Sequence, residues 1–245
     1  MSVLSTAVAI AYGNRAQRHP AFSGPRRRKA QKSSSLRVSG TYGHCIKDNV
    51  LIEPACGNGN FLAEILRRKL AAVEARYRKS PADYEKYAVM AVTSLYGVDI
   101  LQDNVEECRD RLFAIWNDAY EAHMRGECRE ECREAVRYIL TRNILCGNAL
   151  TLRQVDASGE DTGEPILFSE WVFTGRSSVK RRDYRLDVLM ERDRKAQAQI
   201  SMFSEETTRE EDWMRDPEDP RWRIPRPLRE YAPVYYWKVQ QEGRI

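Results

Sequence analysis

The sequence predicts an α/β fold in which short strands alternate with helices around a central, mostly parallel sheet. Three observations lead to this prediction. Apolar runs of strand length occur at residues 50–52, 94–98 and 143–146, and the stretches between them place apolar residues at helical spacing. A turn with two glycines joins the first strand to the first helix. Because parallel strands need a crossover connection, this alternation favours a parallel sheet.

The first element covers residues 50–62, and it predicts a buried strand, a tight turn and the start of a helix. Its apolar run ends at Glu53-Pro54, and Gly57 and Gly59 follow. Glycine lets the backbone turn sharply and approach a ligand closely. Apolar residues then recur at 61, 62, 65, 66 and 70, the spacing of a helix. A ligand is expected beyond the carboxyl end of the strand.

The residues around this turn argue against a phosphate ligand. A dinucleotide-binding turn needs a third glycine where this chain has Leu62, and a phosphate loop needs a Gly-Lys-Ser/Thr run that is absent from the sequence. A cofactor with a charged amino-acid end needs a glycine turn and a nearby carboxylate for an ammonium or sulfonium group. Glu53 meets that requirement.

Residues 53–62, EPACGNGNFL, resemble the S-adenosyl-L-methionine (SAM) motif of N6-adenine DNA methyltransferases from restriction-modification systems. That motif has the form Asp/Glu-Pro-Ala-Cys/Ala-Gly-x-Gly-x-Phe. The resemblance implies a Rossmann-like SAM-dependent methyltransferase fold with SAM as cofactor. The alternative is an ordinary strand-turn-helix without a cofactor. The implied binding residues in this segment are Glu53, Pro54, Ala55, Gly57, Gly59, Asn60 and Phe61.

The second element is a strand at residues 94–98 that ends in Asp99. A helix is expected from about residue 103 to 124, and two helices at 60–79 and 82–93, divided at Ser80-Pro81, precede the strand. In the family, the acid of a Gly-x-Asp-Ile pattern accepts the cofactor's ribose hydroxyls, which implies a binding role for Asp99 and Ile100. The alternative role for Asp99 is a cap of the following helix.

The third element, residues 143–150, resembles the family's Gly-Asp-Ala-Leu segment, whose acid accepts a hydrogen bond from the cofactor's adenine amino group. Here Asn148 replaces the usual Asp and Ala149 follows it. An amide carbonyl can still accept that bond, although the charge is lost. A plain strand-to-loop turn is the alternative.

The family's catalytic segment, Asp/Asn-Pro-Pro-Tyr/Phe, which holds an extruded base, has no counterpart because the chain contains no Pro-Pro pair. Catalytic residues are therefore unassigned. Residues 184–190 are the candidate fourth strand, but Glu191-Arg192-Asp193 follow it. Asp216-Pro217 and Asp219-Pro220 are interpreted as turns.

Three regions are expected. Residues 1–43 form a basic, disordered segment, since the first 47 residues contain nine Lys or Arg and no Asp or Glu. A nucleic-acid-binding arm with a cluster at residues 26–29, a transit-type leader and a gene-boundary artefact remain alternatives. Residues 44–200 form the methyltransferase-like domain. Residues 201–245 form an acidic, then Pro-, Arg- and aromatic-rich irregular extension.

Later parts of the chain carry weaker patterns. Residues 151–155 and 166–173 are β-rich and flank a hairpin loop at 156–163. The Arg- and Lys-dense residues 176–195 favour a solvated face over a DNA contact. The aromatic run 231–237 is either a late strand or a patch for a partner or a stacked base.

Six scattered cysteines show no disulfide framework, which fits a reducing compartment. Cys128 and Cys132 with nearby His123 lack the second pair that a zinc site needs, so no metal is expected. Cys56 is expected to be a small packing residue. The early apolar run at residues 3–12 is too short to span a bilayer, so a cytoplasmic protein without a membrane partner is expected.

The residues together favour a SAM-dependent adenine-N6 DNA methyltransferase of a restriction-modification or defence system, complete or as a partial or split subunit. DNA is the expected partner, with a second methyltransferase, specificity or restriction subunit. The alternatives are a non-catalytic SAM- or DNA-binding accessory protein and a methyltransferase that acts on RNA or protein.

Overall fold

A computed structural model describes residues 9–10, 50–190, 210–215 and 223–242 of the chain. The helices are α1 (Asn60–Tyr77), α2 (Pro81–Thr93), α3 (Gln102–Met124) and α4 (Glu130–Asn143). The strands are β1 (Ala9–Ile10), β2 (Leu51–Glu53), β3 (Leu95–Asp99), β4 (Ile144–Cys146), β5 (Arg153–Val155), β6 (Asp161–Pro165), β7 (Leu167–Thr174), β8 (Ser178–Arg185), β9 (Trp213–Arg215), β10 (Arg223–Pro225), β11 (Arg229–Glu230) and β12 (Val234–Tyr235). Two 3-10 helices cover Glu210–Asp212 and Tyr236–Gln241.

A parallel sheet in the order β1-β2-β3-β4 forms the centre of the fold. Leu51 pairs with Leu95, and Gly97 pairs with Ile144, so consecutive strands of the chain are neighbours in the sheet. Helices α1 and α2 connect β2 to β3, and α3 and α4 connect β3 to β4. The predicted alternation of strands and helices is confirmed, and the protein is a mixed α/β structure.

The helices form when their apolar stripes are buried on one face of this sheet. In α3 the residues at helical spacing, Val105, Cys108, Leu112, Trp116 and Tyr120, are fully buried. The division between α1 and α2 falls where it was predicted: the Ser80 side chain accepts a hydrogen bond from the Asp83 amide at 3.4 Å, and Pro81 occupies the first turn of α2.

The other face of the parallel sheet is covered by strand and loop residues. Ile52, Tyr96 and Val98 point to this face and pack against Ile166 and Phe168. The Tyr96 hydroxyl donates to the Ser169 carbonyl oxygen at 2.7 Å. Leu186 belongs to the same cluster. The segment from Ile166 to Leu186 therefore covers the face of the parallel sheet that is opposite the four helices.

The residues beyond Leu150 form antiparallel sheets, so the mostly parallel arrangement ends at β4. β7 pairs with β8 from Leu167 opposite Arg185 to Thr174 opposite Ser178, and β11 and β12 pair along the other edge of β8. A hairpin is present, but its second strand is not the predicted one: β5 pairs with β6, which begins at Asp161 inside the predicted loop and continues to Pro165. The residues of β7 instead pair with β8.

Two further expectations for this region need correction. Residues 184–190 are not a fourth parallel strand, because β8 ends at Arg185 and residues 186–190 are helical. The Arg-dense segment is not simply a solvated face, since Arg181 is 2% exposed. Its guanidinium lies 3.7 Å from the centre of the Tyr231 ring and 3.1 Å from a Glu242 oxygen.

Part of the expected C-terminal extension belongs to the folded domain. The 3-10 helix Tyr236–Gln241 places Tyr236 and Val239 in the main hydrophobic core, where they pack with α4 residues. The aromatic run 231–237 thus supplies the short strand β12 and then a core contact. Packing continues to residue 242, so a domain limit at residue 200 is too early.

Predictions for residues 1–8, 11–49, 191–209 and 216–222 lie outside the described residues. These include the basic arm with its cluster at 26–29 and the turns at Asp216-Pro217 and Asp219-Pro220. Among the described helices, none is long and apolar enough to cross a membrane.

Candidate functional site

The glycine turn between β2 and α1 has the geometry that the sequence predicts. Gly57 and Gly59 both have left-handed backbone conformations, with φ of 52° and 82°. The Gly59 amide donates to the Cys56 carbonyl at 2.9 Å, and the Cys56 amide donates to the Val98 carbonyl of β3 at 3.0 Å. The turn is therefore fixed against the end of the neighbouring strand.

The two glycines are needed for different reasons. A Cβ on Gly57 would meet no atom within 4 Å, so the backbone at this position faces open space that a ligand can approach. A Cβ on Gly59 would lie 2.6 Å from the Cys108 sulfur, so α3 packs directly on this residue. Gly57 faces open space, and Gly59 faces the protein.

Asp99 lies at the end of β3 and binds the glycine turn directly. Its Oδ2 accepts a hydrogen bond from the Gly57 amide at 2.8 Å. Its Oδ1 accepts bonds from the Leu101 amide and the Asn104 side chain, each at 3.0 Å. A carboxylate has about four acceptor positions, and these bonds use three. Asp99 thus joins the turn to the start of α3, and one of its acceptor positions is unused within the described residues.

Glu53 provides a second carboxylate at the same edge, at the end of β2. Burial raises the pKa of this half-buried carboxyl, and a hydrogen bond from the Ala55 backbone opposes the rise. Pro54 and Ala55 continue into the turn. A partly desolvated carboxylate interacts strongly with a nearby cationic group, because the local dielectric is low.

Apolar surface lies at the same edge. Phe61, in the first turn of α1, is 45% exposed, and Ile100, directly after Asp99, is 44% exposed. Large apolar side chains left open beside a polar turn are typical of a ligand site. The predicted residues Phe61 and Ile100 are therefore available for contact with a flat, apolar group.

Asn60 takes part in a polar network that sequence reasoning missed. Its side chain donates to Asn58 at 2.9 Å, and Asn58 donates to Glu107 at 3.0 Å. Arg111 donates to both Asn60 and Glu107. The i,i+4 pair Glu107 and Arg111 was the available signal in the sequence. This network holds the outer side of the turn to α3, so Asn60 has a structural partner already.

Asn148 lies at the same edge but is engaged in a local turn. The Gly147 amide donates to the Asp99 carbonyl at 2.9 Å, which brings the end of β4 beside β3. The Asn148 side-chain oxygen accepts from the Leu150 amide at 3.0 Å, and its nitrogen donates to Asp161 at 3.2 Å. The structure thus shows Asn148 in the strand-to-loop turn that was the alternative interpretation of its sequence segment, and Ala149 lies within that turn.

Two buried thiols lie beneath the glycine turn. Cys56 packs against β3, because a Cβ on Gly97 would be 3.0 Å from the Cys56 sulfur. A hydrogen bond between the thiols, together with burial, raises the pKa of Cys56, and the same bond lowers the pKa of Cys108. Cys56 occupies a packing position, as expected. His123, considered with Cys128 and Cys132 for a metal, instead binds Glu74 at 2.8 Å.

The structure therefore brings together most of the residues that the sequence selected, at the carboxyl ends of three adjacent parallel strands. Two carboxylates, a backbone turn open at Gly57 and two exposed apolar side chains can bind a ligand that carries a cation, hydroxyl groups and a flat ring. The chain matches no protein-family model, no curated protein and no solved structure.

Proposed function

We propose that this chain binds SAM at the carboxyl edge of its parallel sheet and functions as an adenine-N6 DNA methyltransferase or as its cofactor-binding subunit. The observation that supports this most strongly is the 2.8 Å bond from the Gly57 amide to Asp99. It places the two motif residues, which are distant in sequence, at one edge of the sheet. A nucleoside with an amino-acid end needs groups on both strands.

The residues at this edge fit such a cofactor. Glu53 would accept from the ammonium group or stabilise the sulfonium, and the free acceptor position of Asp99 would bind a ribose hydroxyl. Phe61 and Ile100 would flank the adenine ring. Asn148 could contribute through its second oxygen lone pair, because one is used by Leu150. When bound, SAM supplies an electrophilic methyl group.

DNA is the proposed substrate, and the assignment rests on the resemblance of the glycine turn. The residues that would hold the target base are not assigned in this chain, because the sequence has no Pro-Pro pair. That observation also favours a second candidate function, a SAM-binding accessory protein that works with a catalytic subunit. Both functions need the same cofactor site and differ in methyl transfer.

Isothermal titration calorimetry with SAM tests the cofactor site. We expect the parent protein to bind with a Kd on the order of micromolar. Asp99→Ala should weaken binding about tenfold or more, and Phe61→Ser should weaken it several-fold. Asp103→Ala is the matched control, because Asp103 is an exposed acid in the first turn of α3, four residues after Asp99. Its binding should equal that of the parent.

Asp99 also supports the turn, so Asp99→Ala must be compared with the parent by circular dichroism. Phe61→Ser keeps the test valid if Asp99→Ala unfolds, since Phe61 is exposed and outside the core. Absence of binding heat with the parent protein would disprove the cofactor proposal.

Transfer of a tritiated methyl group from SAM separates the two candidate functions. Unmethylated duplex DNA, RNA and protein substrates should each be tested with this chain alone and with the product of the neighbouring gene. Label in the N6 position of DNA adenine supports the methyltransferase. Binding of SAM without label in any substrate supports the accessory protein.

A further inference from the structure

A cleft of about 1140 Å³ lies between α1 and α3, far from the glycine turn. Both helices start at the carboxyl edge of the sheet and run away from it in the same direction. The cleft is lined by α1 from Arg67 onward and by α3 from Ile115 onward, and the start of α2 closes one end. It therefore lies outside the proposed cofactor site, on the helical layer.

The floor of the cleft is apolar and largely built from small side chains. It is formed by Leu70, Ala71, Ile115, Ala119 and Ala122, which recur at helical spacing on the two facing helices. His123 stacks on Tyr84 with ring centroids 3.6 Å apart and closes the lower part. Small residues on parallel helices leave a groove wide enough for another helix to approach.

The rim of the cleft carries positive charge that has no partner. Within the described residues, Arg67, Arg78, Lys79 and Arg125 make no ion pair and no side-chain hydrogen bond. Elsewhere the described arginines are commonly paired, as are Arg68, Arg111, Arg133, Arg153, Arg181, Arg182 and Arg185. Other described arginines, such as Arg76, Arg137 and Arg176, also make no ion pair within the described residues, so what marks this cleft is that four such cations line one cavity.

Two acidic side chains, Glu74 and Asp118, offset half of the four positive charges that line the cleft and leave a net charge of +2. Glu74 binds His123 at 2.8 Å, and Asp118 is the second acid that lines the cleft. The rim therefore favours an acidic occupant.

The dimensions select the kind of occupant. Arg67 of α1 and Arg78, the residue that caps the end of α1, are about three turns apart, a distance of about 16 Å along the helix axis. A single phosphate group cannot contact cations at both ends, and the apolar floor between them cannot solvate an anion. A short amphipathic helix fits both features, because it carries an apolar stripe and acidic flanks of this length.

We propose that the cleft between α1 and α3 binds an acidic amphipathic helix of a partner protein. The apolar stripe of that helix would cover the floor at Ala71, Ile115 and Ala119, and its acidic flanks would pair with Arg67, Arg78, Lys79 and Arg125. This site would join the chain to a partner while the carboxyl edge of the sheet stays open. The proposal does not depend on SAM binding.

The probe is a synthetic helical peptide of about 14 residues with Leu at i, i+3, i+4 and i+7 and Glu at the flanking positions. Binding to the full chain is measured by fluorescence anisotropy at low and physiological salt. We expect saturable binding that Arg78→Glu with Arg125→Glu weakens about tenfold or more. Ala119→Trp should also abolish binding by filling the floor.

Arg68→Glu is the matched control, since Arg68 lies on the same helix with its side chain 73% exposed and outside the cleft. It receives the same charge reversal as Arg78→Glu alone, which is the single variant to compare with it, and it should bind within about twofold of the parent. Circular dichroism establishes whether each variant is folded. If Ala119→Trp does not fold, the variant with Arg78→Glu and Arg125→Glu still tests the proposal.

Several outcomes would overturn the proposal. These are no binding of the acidic peptide by the full chain, equal binding of a scrambled peptide of the same composition, or an equal loss in the Arg68→Glu control. Displacement of the peptide by duplex DNA at lower concentration would assign the cleft to nucleic acid instead. If the chain forms dimers at higher concentration and the dimers no longer bind the peptide, the cleft would be assigned to a second copy of this chain.

Discussion

At the residue scale, the glycine turn at residues 57–59 meets two separate constraints: a left-handed backbone at both glycines and close packing against α3 at one of them. Gly57 and Gly59 share a left-handed backbone, but only Gly59 is enclosed, because the Cys108 sulfur would lie 2.6 Å from an added Cβ. Side chains in the left-handed region cost about 1 kcal/mol or more, whatever the surrounding space. The two glycines should therefore respond differently to the same substitution.

Gly57→Ala should lower the free energy of unfolding by about 1 kcal/mol, through backbone strain alone. Gly59→Ala should lower it by about 2–4 kcal/mol, because overpacking against α3 adds to the strain. Urea denaturation followed by circular dichroism measures both values. In a double-mutant cycle, Cys108→Ala should recover the part due to overlap. Equal losses for the two glycine variants would show that α3 does not pack on Gly59.

At the scale of elements, the 3-10 helix Tyr236–Gln241 is held to the helical layer by a buried carboxylate. Glu85 of α2 is 1% exposed and accepts hydrogen bonds from Tyr120 of α3 at 2.5 Å and from Tyr236 at 2.8 Å. A buried carboxylate needs such donors, because an unsatisfied charge is costly. One residue thus connects α2, α3 and the last described segment.

Tyr236→Phe removes one donor from Glu85 and keeps the ring, so we expect a loss of about 1–2 kcal/mol in the free energy of unfolding. Tyr235→Phe is the matched control, since Tyr235 is the preceding residue and is 51% exposed. Its effect should be within about 0.5 kcal/mol. Urea denaturation followed by tryptophan fluorescence gives both values. Similar values for the two variants would mean that Glu85 does not hold this segment.

At the scale of the whole molecule, periodic apolar patterns made the parallel core predictable, whereas the long-range polar contacts could not be predicted from such patterns. The strands at Leu51, Leu95 and Ile144 and the helices between them follow from apolar spacing and turn residues. The position of Asp99 at the same sheet edge as the glycine turn followed from the rule that parallel strands end at one edge, but its hydrogen bond to the Gly57 amide was not predicted.

Other features depend on partners that local sequence does not specify. β7 pairs with β8 rather than with β5, and this choice is made by packing on the second face of the sheet. Arg181 is polar by composition but is buried among Tyr138, Trp171 and Tyr231. The hydrogen bond from the Asn148 side chain to Asp161 joins its local turn to a separate strand. Each of these contacts exists only after the chain has folded.

The same buried arginine connects β8 to the end of the described chain. Arg181 lies 3.1 Å from Glu242 and 3.2 Å from Asp183. Burial raises the pKa of Glu242 to about 7, with Arg181 opposing the rise. Since this pKa is higher in the folded protein than in the unfolded chain, its contribution to stability is present below about pH 4.5 and is lost as the pH rises through 7.

Glu242→Gln should therefore change stability in a pH-dependent way, because glutamine has the shape of the protonated carboxyl and never ionises. Its unfolding free energy should be close to that of the parent near pH 4 and exceed it by about 1–2 kcal/mol at pH 8, after allowance for solvent screening. Urea denaturation at several pH values, with parent and variant side by side, measures this difference. The other carboxylates are common to both proteins and cancel in the comparison. A difference that stays constant between pH 5 and 8 would show that Glu242 does not titrate in this range, and that Arg181 keeps it ionised.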